Sequence, residues 1–202
     1  MQEYDNRKIR KQLKKELDKA RYEHTIGVMD TAACLAMRYG CDMNKALTAG
    51  LLHDCAKCIP NDGKLRLCKK YGIEITPAEK KAPFLLHAKL GAYMAREEYG
   101  VEDPEILSAI ACHTTGKPDM SMLDKIVFIA DYIEPGRDRA PGLPRIRALA
   151  FRDLDQALIC ILEDTLDYLK STDQQIDPTT QAVLDFYMNR EKPEEASEKE
   201  NL

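Results

Sequence analysis

The segment that decides the fold is Ala49-Gly50-Leu51-Leu52-His53-Asp54-Cys55-Ala56-Lys57, where an adjacent histidine and aspartate follow an apolar, helix-forming run. Three further histidines, His24, His87 and His113, and a later aspartate, Asp131, also lie in stretches typical of buried helix. The order along the chain is therefore His, His-Asp, His, His, Asp. Imidazole and carboxylate together suit borderline divalent metals and can leave positions open for water and substrate. The pattern predicts a metallohydrolase.

Size and composition indicate one ordinary globular domain. The chain has 202 residues, of which 44% are hydrophobic and 32% charged. Its net charge of −4 argues against a general nucleic-acid binder, which usually carries a basic excess. No apolar run approaches the roughly 18 residues of a membrane span, and the charged start has no apolar signal core. We expect a cytoplasmic protein without a membrane partner.

The seven cysteines are an odd number and lie mostly in apolar helical sequence. Buried free thiols in a reducing compartment are the simplest interpretation. Cys55 and Cys58 form a C-x-x-C pair, but a redox motif would need a βαβ context and a structural zinc site a second pair. We therefore interpret the pair as two small residues near a buried His-Asp turn.

Hydrophobic periodicity is helical almost throughout, and no strand or hairpin pattern occurs, so the sequence predicts an all-α helical bundle. Asp62-Gly63 is predicted to be a loop, as is the stretch 135–144 that follows the Asp131 helix and offers substrate contacts. We divide the chain into a basic N-terminal helix packing on the domain (1–20), a catalytic domain (21–190) and an acidic, disordered tail (191–202). Five of the predicted helices span residues 6–19, 21–39, 103–113, 153–170 and 178–189. Three more are predicted around the ligand candidates: one runs from residue 42 to the His-Asp pair, one carries His87 and ends at Gly100, and one runs from residue 121 through Asp131.

Neighbouring residues on a helix point about 100° apart, so His53 and Asp54 can reach one site only where several helices converge. A single histidine on an apolar face is most often a satisfied core residue. Four of them are harder to dismiss, because small residues that allow close helix approach accompany them: Gly27, Gly50, Ala88, Gly91, Ala109 and Ala111. Asp54 could bridge two metals, or hold one metal and orient a water.

A metal of this kind can lower the pKa of a water toward neutrality, and two metals about 3.5–4 Å apart stabilise both the attacking and the leaving oxygen of a phosphoryl transfer. Lys57 and Arg137 are candidate phosphate contacts, and for each the alternative is a solvated side chain. Thr114 could donate a hydroxyl hydrogen bond to substrate, or cap the helix that carries His113.

These residues resemble the HD superfamily of metal-dependent phosphohydrolases, which have an all-α fold. Three segments, Leu52 to Lys57, His113 to Gly116 and Ala130 to Arg137, are similar to one bacterial family in it, the YqeK-type symmetrical bis(5′-nucleosyl)-tetraphosphatases. The resemblance covers roughly residues 21–170. The most specific segment is Ala130-Asp131-Tyr132-Ile133-Glu134-Pro135-Gly136-Arg137.

The resemblance implies hydrolysis of diadenosine tetraphosphate to two ADP with one or two divalent ions, iron first, with manganese, zinc or magnesium as alternatives. His24, His53, Asp54 and Asp131 would be the core metal ligands, and His87 and His113 would hold a second metal or bind phosphate. The implied catalytic residues are Asp54, Lys57, His87 and His113. The implied substrate contacts are His24, Lys57, His87, His113, Thr114, Asp131 and Arg137, with residues 171–176 near the nucleoside.

The expected partners are a dinucleoside polyphosphate and its product ADP; a homodimer is left open. One alternative function is another HD enzyme, such as a nucleotidase or a deoxynucleoside triphosphate hydrolase. A phosphodiesterase for cyclic dinucleotides is disfavoured, because the sequence lacks a Gly-Tyr-Pro signature. A non-catalytic nucleotide- or RNA-binding module is the alternative of another class, supported by the basic first segment.

Overall fold

The computed structural model describes residues 4–138, 140, 142–172 and 175–190. In these ranges the chain forms helices and no strand, which confirms the predicted all-α fold. The helices are α1 Asn6–Glu16, α2 Lys19–Tyr39, α3 Met43–Leu52, α4 Asn61–Lys70, α5 Pro77–Lys81, a 3-10 turn Pro83–Leu86, α6 His87–Glu97, α7 Pro104–Cys112, α8 Met122–Ile133, α9 Leu143–Ala150, α10 Leu154–Ser171 and α11 Pro178–Arg190.

The core is built around α2, which packs along α3 and against α8, while α7 packs on α3, α6 and α8. Fully buried side chains such as Leu35, Ile110 and Ile129 fill the space between these helices. Gly50 lets α2 and α3 cross at backbone contact, because a Cβ at Gly50 would lie 2.8 Å from the Cα of Met29. The crossing brings the end of α3 close to the stretch of α2 that carries His24.

Several helix ends are stabilised by capping residues. Ser121 with Asp124, and Thr76 with Glu79, form reciprocal capping boxes, so that the backbone N–H groups of these helix starts are satisfied. Gly40 ends α2 in the left-handed region with φ +67°. These local signals were readable in the sequence, and they set where the site-bearing helices begin and end.

Other local predictions were wrong. Asp62 and Gly63 lie in the first turn of α4 and not in a loop; Asp62 accepts a hydrogen bond from Arg66 one turn later. The region before His87 is broken into α5, the 3-10 turn and α6, because Pro83 has no N–H and cannot continue α5. Helix α9 was missed, since it begins inside the Pro/Gly-rich stretch after Gly142, with a proline in its first turn.

The N-terminal helix α1 contacts α2 and α3, and buries Ile9 and Leu13 in the main core. The predicted acidic tail 191–202 lies outside the described residues. Among the helices that the structure describes, none combines the length and apolar character that crossing a membrane would require.

Candidate metal centre

The structure brings all six predicted ligands to one place, where the ends of several helices meet the second turn of α2. His24 projects from α2 and Asp131 from α8. His53 and Asp54 lie in the turn that follows α3, and not within a helix as the sequence suggested. His87 is the first residue of α6, and His113 directly follows α7. Because helix ends converge here, adjacent residues such as His53 and Asp54 can both face the same centre.

Three of the histidines are oriented by a hydrogen bond to the backbone three residues earlier. The Nδ1 atoms of His53 and His113 lie 2.7 Å from the carbonyls of Gly50 and Ile110, and Nδ1 of His87 lies 2.5 Å from that of Phe84. A carbonyl oxygen can only accept, so Nδ1 carries the proton and donates. In the neutral ring Nε2 then keeps a free lone pair, which points to the centre as in metal-binding histidines.

The Nε2 atoms face each other in two close pairs. His24 and His53 are 3.4 Å apart at Nε2, and His87 and His113 are 3.1 Å apart. The Nδ1 of His24 lies 3.1 Å from a carboxylate oxygen of Glu134. Two imidazole lone pairs at such distances repel each other unless a proton or a metal ion lies against them, so this donor set fits a cation.

Asp54 lies between the two histidine pairs. Its Oδ2 is 3.4 Å from Nε2 of His53 and 3.8 Å from that of His24, whereas its Oδ1 is 3.1 Å from Nε2 of His87. Oδ1 is buried and has no hydrogen-bond partner among the described residues. A buried carboxylate oxygen without a donor is costly, and a metal ion would satisfy it. The buried cluster around Asp54 therefore fits a divalent metal ion.

Asp131 completes the first of two ligand groups. Its Oδ1 is 3.0 Å from Nε2 of His24 and 4.0 Å from Nε2 of His53. Ligand atoms that lie within 4.8 Å of one another form two sets, which share His53: the first is His24, His53 and Asp131, and the second is His53, Asp54 and His113.

The acids and His87 are held in their metal-binding protonation states. Burial alone would raise the pKa of Asp54, but the neighbouring His53, His113 and His87 outweigh it and hold this pKa well below its usual range. Burial is likewise outweighed at Asp131, whose pKa is held well below its usual range by a hydrogen bond with His24. Burial lowers the pKa of His87 to about 4. At neutral pH the two aspartates are therefore anionic and His87 is neutral, as metal ligation requires.

The three predicted phosphate contacts also face this centre. The ammonium of Lys57 lies 3.0 Å from Nε2 of His87, and the Thr114 hydroxyl 3.1 Å from Nε2 of His113. Arg137 donates to Oδ1 of Asp131 at 2.8 Å. A cavity of about 280 Å³ adjoins them, lined among others by Lys57, His113, Thr114, Asp131, Tyr132 and Arg137. Lys57 and Arg137 are partly exposed side chains, at 33% and 44%, and both also contact residues of the cluster.

Sequence reasoning missed three polar residues that support the site. Arg21 donates to Oδ2 of Asp54 at 2.6 Å. Glu134, which is buried, accepts from His24 and from the backbone N–H of Gly136. Arg147 donates to the carbonyls of residues 133, 134 and 137, and so fixes the loop after α8. Only Arg21 had a readable signal, since it precedes His24 by three residues on the same helix face.

The C-x-x-C pair takes no part in the ligand cluster. Cys55 is buried, with its thiol toward the carbonyl of Gly91, and burial raises its pKa. Cys58 is exposed and lies 3.5 Å from a carboxylate oxygen of Asp18. All seven cysteines of the chain are free thiols.

Comparison with known proteins identifies the family of the chain. The family model described as "HD domain" matches residues 21–136. A symmetrical bis(5′-nucleosyl)-tetraphosphatase of Halalkalibacterium halodurans is 42% identical over 180 residues, covering 89% of this chain and 95% of the relative. Its counterpart in Bacillus subtilis is 42% identical over 170 residues, covering 83% and 89%. The crystal structure of a protein from Clostridium acetobutylicum, described as a predicted HD superfamily hydrolase involved in NAD metabolism, superimposes with a TM-score of 0.90 at 37% identity, covering 94% of this chain and 100% of the other.

Proposed function

Because the chain belongs to the HD-domain family and matches its symmetrical bis(5′-nucleosyl)-tetraphosphatases along most of its length, we propose that it hydrolyses diadenosine tetraphosphate to two ADP. The observation that carries this function is the position of Asp54, whose two oxygens face two separate histidine pairs. The predicted alternatives, another HD nucleotidase and a non-catalytic nucleotide-binding module, are not favoured by these relatives.

The reaction consumes one water and breaks one bond. The oxygen of water attacks the second phosphorus, counted from one nucleoside, and the bond from this phosphorus to the central bridging oxygen breaks. The bridging oxygen leaves with the electron pair on the second ADP, and the proton that the attacking water loses is released to solvent. Symmetry of the products follows if the attacked phosphorus is held at the cluster while the rest of one ADP half lies in the adjoining cavity.

Two ligand groups are assigned within the cluster. His24, His53, Asp54 and Asp131 would hold the first ion, and Asp54 with His87 and His113 would hold a second ion or contact phosphate directly. A bound divalent ion supplies activation of water and stabilisation of charge on the phosphoryl oxygens. Iron is the proposed metal, because the mixed imidazole and carboxylate donors suit iron, with manganese, zinc and magnesium as alternatives.

Charge around the cluster favours an anionic substrate. Three carboxylates, those of Asp54, Asp131 and Glu134, lie near three cations, which are Arg21, Lys57 and Arg137. Because these charges balance, each divalent ion that binds leaves a positive excess. A polyphosphate is the kind of anion that such an excess attracts. Lys57, Thr114 and Arg137 are therefore assigned as phosphate contacts.

The cellular compartment is assigned from the thiols. All seven cysteines are free, and four of them are buried: Cys55, Cys68, Cys112 and Cys160. A reducing compartment keeps such thiols free, and the cytoplasm is the compartment we assign.

Chromatography of the products tests the function. Protein purified without oxygen and analysed for bound metal is incubated with diadenosine tetraphosphate. ADP should be the sole product, and Asp54→Asn should abolish it. Asp62→Asn is the matched control, because Asp62 is exposed on α4 and pairs with Arg66 one turn later. AMP and ATP as products, or full activity in Asp54→Asn, would contradict the function.

A further inference from the structure

Lys64 is a buried cation near the cluster to which no role has been assigned. It lies near the start of α4 and is only 3% exposed. Within the described part of the chain it pairs with no carboxylate. Its Nζ donates instead to two backbone carbonyls, to that of Lys57 at 3.1 Å and to that of Ile59. Because a buried charge is costly unless hydrogen bonds compensate it, these two contacts are what keep the ammonium in place.

Both carbonyls belong to the turn between α3 and α4, residues 53–60, which carries Asp54 and Lys57. The backbone of this turn is held by successive i to i+3 hydrogen bonds and not by a regular helix. Among the described residues, no backbone N–H donates to the carbonyls of Lys57 and Ile59, so the Lys64 ammonium is their donor. The second half of the turn is therefore fixed by a side chain.

Helix α4 is a firm support for this contact. It lies close against the turn, since a Cβ at Gly63 would be 3.1 Å from the side chain of Ile59. It is also anchored in a small core apart from the main one, whose buried members are Ala56, Cys68, Leu86 and Leu90. Lys64 thus connects a packed helix to the backbone of the turn.

The same turn directs Lys57 toward the cluster. Nζ of Lys57 lies 3.0 Å from Nε2 of His87 and 3.5 Å from Oδ1 of Asp54. A lysine side chain has many rotamers, so the position and direction of its backbone decide where its ammonium reaches. The carbonyl carbon of Lys57 is bonded directly to its Cα, and a hydrogen bond at this carbonyl therefore fixes the peptide plane from which the side chain leaves.

We propose that Lys64 is a positioning residue for the reaction, which holds the carbonyls of Lys57 and Ile59 so that Lys57 meets the phosphates at the cluster. This inference rests on the proposed function, in which Lys57 contacts phosphate. The ammonium of Lys64 donates to backbone alone, so it acts through Lys57 and not on the metal. Misplacement of a contact by about 1 Å is enough to reduce turnover strongly.

The test is a double-mutant cycle of wild type, Lys64→Met, Lys57→Met and the double variant. Each protein is measured for kcat/KM with diadenosine tetraphosphate, for the affinity of its Mn²⁺-loaded form for ADP, and for the affinity of its metal-free form for Mn²⁺. Lys64→Arg is the conservative variant, because a guanidinium can donate to both carbonyls. Lys125→Met is the matched control, because Lys125 is also largely buried, with its side chain 13% exposed, but pairs with Asp155.

Lys64→Met should lower kcat/KM and ADP affinity about tenfold, because two carbonyls lose their donor and Lys57 is no longer held in place. In the Lys57→Met background the same change should alter either quantity less than about twofold, since two residues that act through one contact are not additive. Lys64→Arg should recover most of the loss. Affinity for Mn²⁺ should equal that of wild type, and Lys125→Met should leave all three quantities unchanged.

Two results would overturn the inference. An equal loss of kcat/KM from Lys64→Met in the wild-type and Lys57→Met backgrounds would mean that Lys64 supports the fold alone. A fall in Mn²⁺ affinity in step with turnover would mean that Lys64 acts on Asp54 and not on Lys57. If Lys64→Met does not fold, Lys64→Gln, which keeps an N–H donor, replaces it in the same cycle with the same non-additivity expected.

Failure of the proposed function is distinguishable, since it shows as a wild-type protein that makes no ADP. A crystal structure of metal-free Lys64→Met then decides the inference without substrate. The ammonium of Lys57 should have left its position beside Nε2 of His87, and an unchanged distance of 3.0 Å between these two atoms would contradict the role of Lys64.

Discussion

At the scale of single residues, the ability of the cluster to bind metal depends on which ring nitrogen of each histidine faces the centre of the cluster. Backbone carbonyls three residues earlier fix this for His53, His87 and His113. His24 lies inside α2, where the carbonyls are used by the helix, and Glu134 replaces them as the acceptor. The carboxylate of Glu134 thereby sets the orientation of His24 and increases the basicity of its other nitrogen.

Glu134→Gln should weaken metal binding. A glutamine has one acceptor oxygen for two donors, His24 Nδ1 and the N–H of Gly136, so one of the two contacts is lost. Loss of such an outer partner typically costs about tenfold to a hundredfold in metal affinity. Calorimetric titration of the metal-free protein with Mn²⁺ measures this affinity. Glu97→Gln is the control, because Glu97 is exposed. An affinity equal to wild type would show that Glu134 does not support His24.

The residue identities of the site were predictable, while their surroundings were not. The ligand candidates stood out because histidine and aspartate are rare in apolar helical sequence. The structure brings five of them together in two overlapping ligand sets, and His87 lies against Asp54 and His113. Arg147 and Glu134 gave no comparable signal, because their roles depend on how the loop after α8 folds back on α2.

At the scale of helices, the centre is positioned by the crossing of α2 and α3. The absence of a side chain at Gly50 allows contact between the two backbones. His53 follows this crossing by three residues, in the turn after α3, and its ring faces His24 of α2. The distance between the two Nε2 atoms therefore depends on how closely the two helices approach.

Gly50→Ala should separate α2 from α3. The added Cβ would lie 2.8 Å from a backbone atom that has no freedom to rotate away. Overpacking of this kind costs roughly 1–3 kcal/mol of unfolding free energy, and Mn²⁺ affinity should fall with it. Denaturant unfolding measures the loss of unfolding free energy, and titration with Mn²⁺ measures the fall in metal affinity.

Gly63→Ala is the control for Gly50→Ala, because its nearest contact is the side chain of Ile59 in the separate small cluster under α4. That variant should keep wild-type metal affinity. If Gly50→Ala binds Mn²⁺ as the wild type does, the crossing does not position the ligands.

The helical class of the chain and most helix caps could be predicted from the sequence, but the start of α9 could not. Thr76-Glu79 and Ser121-Asp124 act within one turn, so the sequence contains everything that they need. The start of α9 inside a Pro/Gly-rich stretch depends on packing with α8 and α10, which local patterns do not report, whereas Pro83 by itself explains the break after α5.

At the scale of the whole molecule, the bundle keeps charged and polar groups in its interior for the sake of the centre. His53, Asp54, His87 and His113 are each at most 2% exposed. The unsatisfied oxygen of Asp54 and the facing histidine nitrogens oppose folding until a cation binds them. Metal binding and global stability are therefore coupled.

Removal of metal should lower the thermal stability of the protein. Mn²⁺ at about a hundredfold excess over its Kd should raise the Tm of the metal-free protein by roughly 5–10 °C, since binding to the native state alone stabilises it. Asp54→Asn should show a much smaller rise in Tm. An equal rise in Asp54→Asn, measured by differential scanning calorimetry, would place the stabilising ion elsewhere.

The most direct test of the account is hydrolysis of diadenosine tetraphosphate in ¹⁸O-labelled water, followed by mass spectrometry of the nucleotides. The account predicts ADP as the sole product, with one of every two ADP molecules carrying a single ¹⁸O on its terminal phosphate. Label in AMP or ATP would place the attack on another phosphorus, and ADP without label would show that water is not the nucleophile.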